Sequence, residues 1–407
     1  MLERGLAGEK EAHMSLQDSS PAPVVQVTDA INGTIRTLLC THPPKYELFG
    51  YILTSEHPEY AQEDGYSNTI ELYDAVPKFV PSTRRMGVLR ENGIYLQNLR
   101  RQFQHGTGKH KRWYSVEITP ARLRDKHGHV MEYYPNQRVE LVEEALRKTA
   151  CDQLSAVYLD GFAGVRFTLY QLRKELKSRG HTINYPDLID ALKIGHSAGM
   201  TLTFDDGSEI NAPIFPVLAL TKRREWEQHG RNTRCFVQFH PLVTRSIDAI
   251  TYRQFHYATF MKLKKPLSRW LFKRLSHVYR QASMNDGYRI AHSTIVRDSG
   301  CVNASRIRDQ ISDVCEALDE LSGIDIAARR KARKQGIPYD RPGHAEVWVV
   351  MNYIQDQQTT QRGKIEEVIY HIQPSPVFTG LQVAANKRDT LILEQAQQQG
   401  LLPFGKM

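Results

Sequence analysis

The chain has 407 residues, of which 41% are hydrophobic and 24% charged, with a mean hydropathy of −0.49; that is too long for one ordinary core and predicts two or three domains. No stretch approaches the roughly 18 uninterrupted apolar residues of a membrane span, and the opening MLERGLAGEKEAHMSLQDSS lacks an apolar signal-peptide core, so a cytoplasmic protein without membrane contact is expected. Lys and Arg number 54 against 45 Asp and Glu, and a pI near 9.2 suits a polyanionic partner.

Residues 1–23 form a polar tail ending in Ser19-Ser20-Pro21-Ala22-Pro23, expected to be disordered. Residues 24–130 are mixed and punctuated by Pro and Gly, an accessory region whose role the sequence does not give. Within it, WYSVEITPARLRDKHGHVMEYYP predicts two strands around a turn at Asp125 to Gly128.

From 131 to 248 the pattern sharpens. RVELVEEALRK places Val139, Val142, Ala145 and Leu146 at helical spacing. Thr168 followed by Gln171 is a capping-box pattern opening a helix with Leu169, Leu172 and Leu176 on one face and Gly180 as its stop. A third helix starts near Asn184 with Pro186 in its first turn. After Gly199 the chain alternates like a hairpin turning at Asp205 to Gly207, and RCFVQFHPL adds a strand. Helix, helix, turn, helix, hairpin is the order of a winged helix-turn-helix.

The same order recurs over 249–352. PLSRWLFKRLSHVYRQAS carries an amphipathic stripe through Leu267, Leu271, Leu275 and Val278. A short helix begins at Ser293 and stops at Gly300; Gly300-Cys301-Val302 is the turn, and Asn303 the expected N-cap of a helix with Ile307, Ile311, Val314 and Leu318 inward. The basic run in AARRKARKQG and then AEVWVVM are expected to form the wing, leaving 353–407 as a flexible tail. The fold class is therefore α+β, two tandem winged helix-turn-helix domains with an N-terminal mixed extension and flexible tails.

Charge concentrates in the second of these domains: residues 262–350 hold 17 Lys and Arg against 10 Asp and Glu. In a helix-turn-helix the second helix enters the major groove by its N-terminal residues. On that helix Ser305, Arg306, Arg308, Asp309, Ser312 and Asp313 fall outside the apolar stripe. Arg306 is the candidate for a bidentate guanine contact, and Asn303 and Ser305 for phosphate or an adenine edge. Asp309, Asp313 and Glu316 would repel phosphates unless only the N-terminal end enters. Arg329, Arg330, Lys331, Arg333 and Lys334 in the wing suit phosphate contact, with Lys264, Lys265 and Arg269 at the start of the preceding helix. In the first domain Arg173, Lys174 and Lys193 are the corresponding cations. A solvated acidic face on a purely structural bundle is the alternative.

Catalytic patterns are sparse. The sequence has no G-x-x-x-x-G-K-[ST] or H-E-x-x-H. The cysteines Cys40, Cys151, Cys235, Cys301 and Cys315 are scattered without C-x-x-C spacing, which reads as reduced thiols. His127 and His129 with Tyr133 and Tyr134 are similar to the residues of a rolling-circle nuclease, but lie in a D-K-H-G turn. No cofactor and no resident metal are expected, and the chain is read as a binding protein and not an enzyme.

KKPLSRWLFKRLSHVYRQAS with its following helix-turn-helix, together with FTLYQLRKELKSRGH and the hairpin after ALKIGHSAGM, resembles theta-type plasmid replication initiators over roughly residues 70 to 352. The resemblance implies binding of double-stranded direct repeats (iterons) at a plasmid origin and opening of an A·T-rich region without covalent chemistry. It also implies recruitment of a host initiator and replicative helicase, a monomer–dimer equilibrium, and autorepression by the dimer. Gln399, Leu402 and Phe404 fit Q-x-x-L-x-F, similar to peptides by which bacterial replication proteins bind the sliding clamp; docking of an apolar tail on its own domain is the alternative. A winged-helix transcription regulator is the second functional reading and the nuclease the third.

Overall fold

The computed structural model describes residues 65–81, 88–89, 96–106, 108–125, 127–151, 156–220, 235–339 and 349–398. Helices and strands are mixed throughout, in the α+β class. Among these residues no helix is long and apolar enough to cross a membrane. The tail expected over 1–23 and the peptide Gln399, Leu402 and Phe404 lie outside the described residues.

In the first unit Gln137–Cys151 packs on Leu169–Ser178 and Tyr185–Ser197. The capping box forms: Thr168 Oγ1 accepts from Gln171 N, and Gln171 Oε1 from Thr168 N, both at 3.0 Å. Asn184 Oδ1 accepts from Asp187 N at 2.7 Å and starts the third helix. Gly180 turns the chain between them at φ 89°, a region open to glycine. Leu169, Leu172, Leu176, Leu188, Ala191 and Leu192 are buried. Gly199–Thr203 and Glu209–Asn211 form the expected hairpin.

That hairpin continues a larger sheet, because Gly199–Thr203 also pairs with Arg112–Thr119, which pairs with Leu99–His105. Residues 99–119 therefore belong to the first unit, and 130 is not a structural boundary. Val116 and Ile118 alternate inward and share their burial with Met200 and Leu202; a lone hairpin could not cover them. The hairpin expected around Asp125 to Gly128 forms between Ala121–Arg124 and Val130–Tyr133, and Val130–Tyr133 also pairs with Val88–Leu89.

The second unit runs through Pro266–Val278, Tyr288–Ala291, His292–Ser299, Ile307–Leu321, Val350–Thr359 and Ile365–Pro374. Three expectations are corrected here. The long helix starts at Ile307 with Arg306 at its N-cap, not at Asn303; Gly300 ends the previous helix at φ 59°, and Gln310 Nε2 ties down the connection through Ala304 O at 2.7 Å. The basic run is a helix, Ile326–Gln335, and not a wing. Ala, Arg and Lys are good helix formers, Asp325 Oδ1 caps the first turn from Ala327 N and Ala328 N, and Gly336 closes it at φ 67°.

The hairpin lies farther on, at 350–374, and Pro376–Gln398 follows as a long helix, so the flexible tail drawn from 353 is folded up to 398. Val368, Tyr370 and Ile372 alternate into the core. Arg253 holds the last helix by donating to Asp389 Oδ2 at 2.6 Å, Asn386 Oδ1 at 2.7 Å and Gln382 Oε1 at 2.8 Å.

The two units are joined by a buried hub. Ser67–Ile70 pairs with Tyr252–Phe255 and leads into Glu71–Ala75. Asp74 accepts from Arg147 Nη2 and Nη1 at 2.8 and 2.9 Å, from Lys273 Nζ at 3.0 Å, and from Thr69 Oγ1 and Ile70 N at 2.7 Å. Burial alone would raise the Asp74 carboxyl, but Arg147, Lys273 and Lys78 hold it well below the usual range. Glu144 touches the same two cations, Arg147 and Lys273. Arg147 belongs to the first unit and Lys273 to the second, and one apolar core runs through both.

Candidate nucleic-acid interface

His292–Ser299 and Ile307–Leu321 are successive helices of the second unit, where the sequence predicts a helix-turn-helix pair. Ile311, Val314 and Leu318 turn inward, while Asn303, Ser305, Arg306, Arg308, Asp309 and Ser312 are exposed. The exposed residues gather at the N-terminal end, where free backbone N–H groups and the helix dipole favour anions.

The carboxylates farther along the helix are occupied. Glu316 accepts from Lys265 Nζ at 2.5 Å and from Arg330. Burial raises the Glu316 carboxyl, yet Lys265 and Arg330 outweigh this and hold it below its ordinary value. Asp319 pairs with Arg329 Nη1 at 2.6 Å and accepts from Tyr353 Oη at 3.1 Å. Glu320 accepts from Lys264 N at 2.7 Å and Lys265 N at 3.1 Å. Of the three carboxylates that the sequence sets against phosphate, Glu316 is neutralised from within, while Asp309 is exposed at the helix start and Asp313 is half-buried.

These pairings sort the cations. Arg329 and Arg330 serve the neighbouring helix, while Lys331, Arg333 and Lys334 are exposed. A cleft of about 510 Å³ opens between Lys264, Lys265, Lys331 and Lys334, with Ile324 and Ile326 among its lining. Arg269 is no surface cation: it is fully buried and donates to Glu140 Oε2 at 2.7 and 3.0 Å, joining the two units. Arg173 donates to Ile183 O at 2.9 Å and lies over the Tyr185 ring at 4.7 Å, fastening the turn of the first unit. Lys174 and Lys193 are exposed on successive helices of that unit.

A cationic feature absent from the sequence reading is the hairpin tip at 360–364. Thr360 N donates to Lys364 O and Gly363 N to Thr360 O, each at 2.9 Å, leaving Arg362 and Lys364 exposed. The base of this hairpin is fixed to the helix, since Gln355 Nε2 donates to Cys315 Sγ at 3.0 Å. Its signal was the R-G turn followed by alternation through Val368, Tyr370 and Ile372.

His127 and His129 occupy an exposed turn whose two backbone N–H groups donate to Asp125 Oδ1 at 2.8 and 2.9 Å. The Tyr134 hydroxyl donates to Gln97 O. His127 and His129 thus lie in the turn, Tyr133 ends its second strand and Tyr134 follows it.

No protein-family model matches this chain, and no curated protein matches it. Among solved structures it is similar to domains 2 and 3 of RctB, at 10% identity, with 77% of this chain and 99% of that chain covered and a TM-score of 0.38. Selenomethionine derivatives of the same two domains give 10%, 68%, 91% and 0.36. The Pi initiator protein in complex with iteron DNA gives 10%, 63%, 98% and 0.37. At these TM-scores nothing about the site is transferred from them.

Proposed function

We propose that the chain is a sequence-specific binder of double-stranded DNA that initiates replication at repeated origin sites, through two tandem winged helix-turn-helix units. One observation carries the reading: the N-terminal end of Ile307–Leu321 exposes Ser305, Arg306 and Arg308, while Glu316, Asp319 and Glu320 behind it are occupied. That end suits the major groove, with Arg306 on guanine, Asn303 and Ser305 on phosphate or adenine, and Asp309 able to accept from cytosine. Lys331, Arg333, Lys334, Arg362 and Lys364 are assigned to phosphates, with Lys264 and Lys265 beside them and Lys174 and Lys193 on the first unit. Recruitment of a host initiator and helicase, autorepression, a monomer–dimer equilibrium and clamp binding by Gln399, Leu402 and Phe404 follow from the sequence resemblance to theta-type initiators and belong to the same proposal. No covalent step is assigned.

The test is footprinting of the full chain on DNA flanking its gene. Tandem direct repeats are expected. A single inverted repeat at a promoter would favour a transcription regulator. A protein–DNA adduct on supercoiled origin DNA with Mg²⁺ or Mn²⁺, lost on Tyr133→Phe and Tyr134→Phe, would favour the nuclease.

A further inference from the structure

We infer that the hairpin tip between His105 and Trp113 is a third DNA-contacting element, gripping the sugar–phosphate backbone beside the segment read by Ile307–Leu321; this rests on the duplex-binding function proposed above. The strands Leu99–His105 and Arg112–Thr119 carry the tip out of the first unit's sheet, with His105 opposite Arg112. Lys109, His110, Lys111 and Arg112 are all exposed there. The tip's shape is specified: Gly106 has φ 107°, and a Cβ on it would lie 2.4 Å from His110 O.

Its charge is available. Among the described residues neither Lys109 nor Lys111 is paired with a carboxylate, while Arg112 lies 3.7 Å from Asp205 and His105 3.7 Å from Glu71. Its position is fixed by the other unit. Gln104 N donates to Asp298 Oδ1 at 3.0 Å, and the Arg297 guanidinium lies 5.1 Å over the Trp113 ring. Arg297 and Asp298 sit on His292–Ser299, the first helix of the helix-turn-helix pair, which in that motif crosses the DNA backbone.

The tip therefore belongs to the first unit by chain and to the second by contact. Trp113 remains 49% exposed beside the cations, giving an amphipathic surface next to the helix nearest the phosphates. Cations in this place anchor the duplex irrespective of sequence.

The experiment uses the full chain and a 40-bp duplex, roughly four helical turns, recovered by the wild-type protein from a random library, with a random duplex alongside. The double variant Lys109→Gln/Lys111→Gln keeps Gly106 and Trp113. Its log K against log salt is expected to flatten by about 0.9 for each lost contact, about 1.8 in all, equally on both duplexes. Hydroxyl-radical protection should disappear at one edge of the footprint. An unchanged slope and footprint would overturn the assignment, as would a loss confined to single-stranded DNA. Arg306→Ala runs in parallel. If it abolishes preference for the recovered duplex while the lysine variant changes nothing, the tip falls and the interface stands. If the wild-type chain enriches no duplex, both fall.

Discussion

In the first unit the hairpin turns on Asp205, Asp206 and Gly207, and the helix before it exposes Asp190 beside Lys193. In the second the hairpin turns on Gln361, Arg362, Gly363 and Lys364, and Ile307–Leu321, with the basic helix Ile326–Gln335 between it and the hairpin, begins at Arg306 and Arg308. The second unit inserts Ile326–Gln335 before its hairpin, and the sign of charge at the two hairpin turns is opposite. Element order thus says how each unit packs, and only the side chains at the hairpin turn and the helix start say which unit faces a polyanion. In the function proposed above, the second unit is the one assigned to reading DNA, and the first is assigned to holding it in place and lending it a hairpin.

The comparison requires the units to be one mechanical body, and the Asp74 hub is where that can be broken. Asp74→Ala leaves Arg147 and Lys273 buried with Glu144 as their one remaining shared carboxylate among the described residues. Removing one partner of such a buried group costs about 3–5 kcal/mol. Urea unfolding followed by far-ultraviolet circular dichroism and by tryptophan fluorescence should give one coincident transition, shifted to lower denaturant in the variant. Two separated transitions in the wild type would show that the units fold independently and that their contrast has no common frame.

Acid offers a second way to loosen the same place. Burial pushes His277 down to about 3, against an opposing pull from Asp74 and Glu71, with Arg280 and His105 also near it. Burial and then Lys78 push His240 down to about 3. His277 Nε2 lies 3.1 Å from Thr69 Oγ1, and His240 stacks on Tyr73 at 5.2 Å, so both face the segment that carries Asp74. The unfolded chain, with histidines near 6.5, takes up protons that the folded chain refuses between about pH 6.5 and pH 3. Stability is therefore full above that window and falls as pH drops through it, by about 1.4 kcal/mol per pH unit for each imidazole. Denaturation midpoints measured from pH 8 to pH 5 should fall below about pH 6.5, and His277→Gln should shallow the slope. A flat profile would mean that these imidazoles are not held neutral at the junction.

Local signals in the sequence were legible where the chain's own neighbours decide the structure. The Thr168–Gln171 box, the Asn184 cap, and the turns at Gly180 and Gly207 each depend on residues within a few positions. The basic helix was equally local, with Asp325 and Gly336 at its ends, and was misread because charge density was weighed above helix propensity. Arg269 shows the other kind of loss. Its partner Glu140 is 129 residues away, and no periodicity announces that a cation beside Lys264 and Lys265 will turn inward. The pairing of Arg112–Thr119 with Gly199–Thr203 is non-local in the same sense, which is why 99–119 carried no readable role.

The smallest expected effect tests the contrast most directly, because it compares one exposed cation from each unit. Arg306 sits at the N-cap of its helix, where a side chain reaches forward into a groove, and its guanidinium can meet guanine O6 and N7 together. Lys193 lies well inside Tyr185–Ser197, next to exposed Asp190, and an ammonium there can meet a phosphate only as a point charge. Arg306→Ala should cost on the order of 1–3 kcal/mol on the recovered duplex and little on random DNA. Lys193→Ala should weaken both duplexes alike, by less, and the difference should shrink as salt rises. Fluorescence anisotropy at two salt concentrations separates the outcomes, since a lost base contact changes the ratio of the two affinities and a lost phosphate contact changes their common salt slope. If Lys193→Ala removed the preference and Arg306→Ala left it intact, the unit with the acidic turn would be the reader, and charge at the hairpin and helix start would be a poor guide to which unit meets DNA.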